Sequence, residues 1–258
     1  YMDAYNIADA VRLIRSFVVE DLSHWYIRLV RPRVWIDENV PEKLACYATL
    51  YYVIDRLTRL LAPITPFIAE YIYQSMLRNL YGEPSVHMLN YPEPEERFVN
   101  DELEEGMEVV RAIYSASASA RMRAGLKMRH PVKEVVVYTD NSRVQKYVKL
   151  LEDVLKLMCN AKSIRVESAA KIAEIIRYKV KPVYKVLGPK YKGLVKALVE
   201  YIEKNSDAIA RDILSKGVHA ISIQEQLVEL TREEVEVQPY YIEGYVAEDF
   251  KYGIVALD

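Results

Sequence analysis

The groups that do most acid–base, metal and nucleophilic chemistry occur in this 258-residue chain without converging on a site. Adjacent carboxylates stand at Glu104-Glu105 and Glu233-Glu234, in charged and polar surroundings. A general acid–base pair needs a dry pocket that drives two pKa values apart, so these read as solvated helix or turn surface. His24, His87, His130 and His219 are too scattered for a metal-ligand spacing, and Cys46 and Cys159 lie far apart. That cysteine usage suits a reducing cytosol and supports neither a disulfide framework nor a zinc site. Glycine-rich phosphate loops, a GxSxG elbow and an HExxH helix are all missing from the sequence. The residue types point to recognition and name no catalytic residue.

Cations are what the chain gathers. Arg28, Arg31 and Arg33 lie in DLSHWYIRLVRPRVW, Asp21 to Trp35, and Arg121, Arg123, Lys127 and Arg129 in RMRAGLKMR. Lys181, Lys185, Lys190 and Lys192 surround LGPKYKG, with Tyr184 and Tyr191 interleaved. Such side chains neutralise RNA phosphates and release counterions, and rings among them can stack on unpaired bases. Each group has an ordinary reading as well. The first could pair with acids such as Asp21 or Glu38, the second could complement a helix dipole, and the third could be a basic loop with packed tyrosines. Helical spacing would put Arg121 with Arg129, and Arg123 with Lys127, near common faces. The net charge of −2 conceals this asymmetry. Basic residues outnumber acidic ones severalfold between Arg121 and Lys196, and the sign reverses from Tyr201 to Asp258. Sequence blocks of this kind can leave a local phosphate-attracting surface on a nearly neutral protein.

The elements that must position these side chains change character along the chain. Val11, Ile14, Val18, Leu22, Trp25 and Leu29 recur at helical spacing, which predicts one long helix with Trp25 in its core stripe and an end near Pro32. A second helix runs from Pro41 through YATLYYVIDRLTRLLA, and a third resumes after Pro63 and Pro66 until Gly82. EPSVHMLNYPEPEERFVN reads as a proline-rich loop and DELEEGMEVVRAIYSASASARMRAGLKM as a further helix. After His130-Pro131 strands appear: VKEVVVYT, SIRVES, EIIRYKVKPVYKV, HAISI, EEVEVQPYYI, YVAED and YGIVAL. NSRVQKYVKLLEDVLKLM, GLVKALVEYIEK and SDAIARDILSKG are helical, and LGPKYKG reads as a turn. The expectation is a multidomain α and α+β protein: an antiparallel helical bundle over residues 1–130 and a smaller α+β domain over 131–258. An apolar fraction of 51% with 28% charged residues is that of a globular chain, not a disordered one. Its polar positions are mostly Glu, Lys and Arg, a balance found in hyperthermophile proteins. The chain opens at Tyr1 inside what reads as a helix, so a natural start is not expected there.

Taken in order, these segments resemble the isoleucyl-tRNA synthetases of class I. DLSHWYIRLVRPRVW is similar to a helix of their anticodon-binding domain, and LLAPITPFIAEYIYQSM to its segment with two prolines and an Ala-Glu pair. PSVHMLNYPEP resembles the Ser-Val-His loop, RMRAGLKMRHPV the basic helix end that closes the domain, and LGPKYKG with GIVALD the C-terminal junction of archaeal and eukaryotic members. The resemblance runs through the whole chain. His24 departs from it, standing where a basic residue is more usual. The signatures His-x-Gly-His and Lys-Met-Ser-Lys-Ser are missing, as is any editing insertion, and the chain ends before the usual terminal module. The resemblance therefore implies a non-catalytic, cytoplasmic tRNA-binding fragment that recognises the anticodon stem-loop of isoleucine tRNA. It implies no cofactor here, while the parent would use ATP and magnesium on a catalytic domain of the same polypeptide. The equivalent fragment of a valyl or leucyl enzyme, or a standalone helical protein-interaction module, is the alternative; LGPKYKG and DLSHWYIR favour isoleucyl.

Overall fold

In the computed structural model the described residues are 2, 4–38, 40–223 and 226–258, Gln226 by its backbone alone. Tyr1, on which the expectation of a helix already under way rests, lies outside them. The chain divides into two compact units, Tyr1–Asp101 and Glu102–Asp258. The change in sequence pattern at His130-Pro131 falls later, because the long helix before it packs with the strands that follow.

Among the described residues the first unit is all helical. Asn6 caps α1 (Ile7–Ser16) by accepting from the Asp9 amide, which satisfies one of the donors a helix start leaves open. The helix continues through widened π turns at Phe17–Ile27 into α2 (Arg28–Val34). Pro32 removes one amide donor, and the helix stops two residues on, as the sequence leads one to expect. α3 (Pro41–Leu61) and α4 (Pro66–Ile72) each begin on a proline, whose fixed φ and missing N–H cost nothing at a first turn. α4 runs on through Tyr73–Leu77 to α5 (Arg78–Tyr81), which Gly82 ends at a φ of +77°. Ala69, Tyr73, Leu77, Ala62 and Val86 form the buried cluster beneath. Glu70 joins two of the sequence motifs: its carboxylate accepts from the Ser85 hydroxyl at 2.8 Å and the Val86 amide at 3.0 Å. Hydrogen bonds from Gln74, Ser85 and Val86 hold that carboxyl below its ordinary pKa against the opposing effect of burial.

The second unit begins with α6 (Asp101–Arg123), which buries Val109, Val110, Ile113, Ala116 and Ala120. Gly106 sits close against α7 (Ser142–Leu150), where a Cβ would stand 3.1 Å from the Tyr147 ring. Four strands form one sheet in the order β2-β1-β8-β7: β1 (Val132–Tyr138), β2 (Ala161–Glu167), β7 (Val246–Phe250) and β8 (Gly253–Leu257). β1 and β2 are parallel, joined by α7 and α8 (Glu152–Cys159), and β8 runs antiparallel to both of its neighbours. Val135, Val136, Val137 and Tyr138 are all buried, as a central strand covered on both faces requires. The rest packs about Val180, Leu187, Leu198, Ile202, Ile209 and Ile213. After α9 (Ile172–Ile175), this part holds the antiparallel pairs β3 (Ile176–Pro182) with β6 (Val235–Tyr241) and β4 (Val218–Ile223) with β5 (Gln226–Thr231). Its helices are α10 (Tyr184–Tyr191), α11 (Val195–Lys204) and α12 (Ser206–Lys216).

Several local expectations need correction. LGPKYKG is the end of a helix rather than a free turn, because fully buried Leu187 anchors α10 in the core; the chain turns only at Lys192, where φ is +37°. The flanking strand shortens to β3 for the same reason. NSRVQKYVKLLEDVLKLM breaks at Leu151 into α7 and α8. QLVELT, not assigned from sequence, forms β5.

Gly253 gives the fold its sharpest steric constraint. Its φ is +156°, and an added Cβ would meet the Tyr138 carbonyl oxygen at 2.1 Å. Gly253→Ala should destabilise the second unit by about 2–3 kcal/mol, read from urea unfolding. Gly193→Ala, with nothing within 4 Å of the new methyl, should stay near the parent.

Candidate nucleic-acid interface

The first group of cations is displayed. Arg28, Arg31 and Arg33 are exposed on α2, and the Arg31 guanidinium lies 5.8 Å from the centre of the Trp35 ring. Trp35 itself is 77% exposed, whereas Trp25 is buried as the helical stripe requires. On the facing start of α3, Lys43 donates to the Ile36 carbonyl at 2.6 Å and lies over Tyr47. The alternation of cation and ring along this stretch is the geometry that lets unpaired bases stack between contacts to phosphate. Sequence reasoning passed over Trp35, because an aromatic next to a helical stripe looks like core until its exposure is seen.

The second group separates. α6 stops at Arg123 and the following residues turn at Gly125, so the helical spacing expected for Arg121 with Arg129 and Arg123 with Lys127 does not arise. Arg121 is 1% exposed. Its guanidinium donates to the carbonyls of His130 at 2.7 Å, Cys159 at 2.6 Å and Asn160 at 3.1 Å, with a longer approach to the Lys127 carbonyl at 3.5 Å. The α8 C-terminus concentrates unpaired carbonyls there, and the negative end of the helix dipole stabilises the buried cation. This is a correction: Arg121 cannot reach a phosphate and serves as a structural clasp. Burial lowers its pKa from the ordinary arginine value. Arg123 is exposed and ion-paired with Glu248 at 2.8 Å, while Lys127 and Arg129 stand exposed on the loop that Arg121 clasps.

The third group also divides. Lys190 is bound to Glu234, a residue 3% exposed that also accepts from the Thr231 amide at 2.7 Å and hydroxyl. Hydrogen bonding to Glu234, then to Tyr191, raises the Lys190 pKa well above its ordinary value. Burial alone would raise the Glu234 carboxyl, but Lys190 and Thr231 outweigh it and hold the pKa low. Tyr191 donates to the Glu229 carbonyl at 3.0 Å and is packed, which matches its ordinary reading. Tyr184 is 61% exposed, and Lys181, Lys185 and Lys192 are exposed beside it. Among the described residues, Arg31, Arg33, Lys127, Arg129, Lys181, Lys185 and Lys192 find no carboxylate partner. Also among the described residues, no cluster of His, Cys, Asp and Glu could hold a metal, and no helix is long and apolar enough to cross a membrane.

Comparison with known proteins fits this division. The family model for the anticodon-binding domain of tRNA ligase matches residues 1–137. Isoleucine–tRNA ligases of Pyrococcus abyssi and Thermococcus kodakarensis are each 38% identical over 257 residues, covering 100% of this chain and 23% of theirs. That of Saccharolobus solfataricus is 37% identical over 256 residues, 99% of this chain and 26% of its own length. The chain thus spans about a quarter of the curated relatives it matches.

Two expected outcomes separate structural from displayed cations. Arg121→Met leaves buried carbonyls unpaired and should cost about 3 kcal/mol, while Arg33→Ala and Arg129→Ala should stay within about 0.5 kcal/mol, all by urea unfolding. Lys190→Met should show a pH-dependent loss. In the parent, the lowered Glu234 pKa supplies stability above the ordinary carboxylate range, and this is lost as pH falls through the folded pKa. Without Lys190 the buried carboxylate is unfavourable, so the variant should lose most at neutral pH and converge on the parent in acid. A gap independent of pH would refute the ion-pair account.

Proposed function

The chain belongs to the anticodon-binding domain family of tRNA ligases, and from that membership we propose that it holds the anticodon stem-loop of isoleucine tRNA. The observation that carries this reading is the exposed row of Arg28, Arg31 and Arg33 beside the uncovered Trp35 ring. Backbone phosphates are neutralised by the arginines, and Trp35 offers a face to an unstacked base of the loop. Lys127 and Arg129, and in turn Lys181, Lys185 and Lys192 with Tyr184, add further binding along the stem. Arg123 and Lys190 contribute less, since each is engaged by a carboxylate.

In this reading the helices of the first unit, together with α6, form an antiparallel bundle over residues 1–130, and residues 131–258 are a junction domain that binds RNA. The chain is non-catalytic and cytoplasmic, and presents tRNA to a catalytic domain elsewhere in its parent polypeptide. Activation of isoleucine with ATP and magnesium belongs to that parent domain, because the sequence here carries neither class I signature. The isoleucine assignment rests on the identity to isoleucine–tRNA ligases through the whole length of the chain.

Fluorescence titration of the purified chain with tRNA transcripts tests the proposal. Affinity for isoleucine tRNA should fall linearly on a log–log salt plot. Replacing a displayed cation by Ala should reduce the slope by about 0.7–0.9 for each phosphate that it neutralises in the parent. Trp35→Ala should weaken binding with little change in slope. Anticodon-substituted transcripts should bind less well; equal binding to all tRNAs would leave a non-specific basic surface only.

A further inference from the structure

Beside α3 the first unit carries an open cleft of about 640 Å³ lined by Arg56, Arg59, Asn90, Tyr91, Pro92 and Glu93. Its floor is fixed in place. Arg59 donates to the buried Asp55 carboxylate at 2.6 Å and lies 5.5 Å from the centre of the Tyr81 ring, whose hydroxyl donates to the same carboxylate at 2.8 Å. Arg56 is bound to Glu95 and lies 4.9 Å from the centre of the Tyr52 ring, whose hydroxyl donates to Glu95 at 2.6 Å. Both guanidinium planes are therefore set before any ligand arrives, which lowers the ordering cost of binding. Pro92 and Pro94 restrict the wall opposite.

The charge balance of this cleft decides what it can hold. The guanidiniums of Arg56, Arg59 and Arg97 are matched by the carboxylates of Asp55, Glu93 and Glu95. A phosphate needs a surplus of positive charge and finds none. A neutral, planar ring with donors and acceptors on its edges fits better. Arg56 keeps Nη1 without a hydrogen bond among the described residues, and the exposed Glu93 carboxylate also lacks a partner among them. A half-exposed tyrosine ring, Tyr91, stands on the wall as a stacking surface. The donors of an arginine suit the O6 and N7 acceptors of guanine, and a carboxylate suits its adjacent N1–H and amino donors.

We propose that this cleft takes an unstacked guanine from the loop of the bound RNA, with Arg56 on its acceptor edge, Glu93 on its donor edge and Tyr91 against its face. The inference rests on the RNA-binding reading above and adds a site of base selection to it. The full chain is titrated with hairpin RNAs whose loops are all uridine, or uridine with a single guanine, adenine or inosine. The guanine loop should bind about tenfold tighter than the uridine loop, the discrimination of one good bidentate pair. Inosine, lacking the amino group, should lose most of that preference. Glu93→Gln, at an exposed position that does not threaten folding, should flatten the ratio of guanine to uridine affinity, and Arg56→Lys should do the same while keeping the charge. Equal affinity for guanine and uridine loops, with anticodon-dependent tRNA binding intact, overturns the guanine site and leaves the RNA reading standing. Indifference to the anticodon in whole tRNA overturns both.

Discussion

A cation without an anion ties the second unit together. Arg121 is buried among backbone carbonyls from the turn after α6 and from the end of α8, so one side chain fixes two elements that approach β1 from different parts of the chain. Carbonyl dipoles can hold a guanidinium in the interior because its planar donors meet several of them at once, at the negative end of a helix. A carboxylate in the same place would satisfy fewer of those donors and would hold nothing at the loop. The residues at 127 and 129 owe their presentation to solvent to this clasp.

Pairing, more than basic content, decides which side chains are available to a polyanion. Lys190 faces a buried carboxylate, and Arg123 faces Glu248. The arginines of α3 are likewise committed to Asp55 and Glu95, where stacked tyrosines hold them rigid. Cations without such partners sit on α2, on the loop after α6 and around α10. The same physics thus yields two kinds of site: compensated arginines suited to reading the edges of neutral rings, and uncompensated ones suited to phosphate.

The long helices were legible because their stripes, first-turn prolines and terminal Gly82 are local signals. The strands β1, β6, β7 and β8 were legible from their β-branched runs. β5 was not, since QLVELT carries few β-branched residues and gains its state from pairing with β4. LGPKYKG misled for the opposite reason: glycine and proline signal a turn, yet burial of Leu187 holds the helix. At the interface, the residue types and neighbourhoods of the cations were readable, but their partners were not. Glu234 lies 44 residues from Lys190, and Glu248 lies 125 residues from Arg123. Nothing local in the sequence distinguishes a clasp such as Arg121 from a displayed arginine two positions on.

The order of strands in the main sheet has a consequence for how the protein is made. β1 lies between β2, which follows it closely, and β8, which the ribosome delivers far later; the flanking side chains Lys133 and Asp258 are 125 residues apart. Until β8 arrives, the apolar strand Val132–Tyr138 has one open edge ready to accept any extended segment, including one from a neighbouring nascent chain. Synthesis therefore passes through an interval in which half of the sheet must be shielded, and a chaperone or the rest of the growing polypeptide is the natural cover.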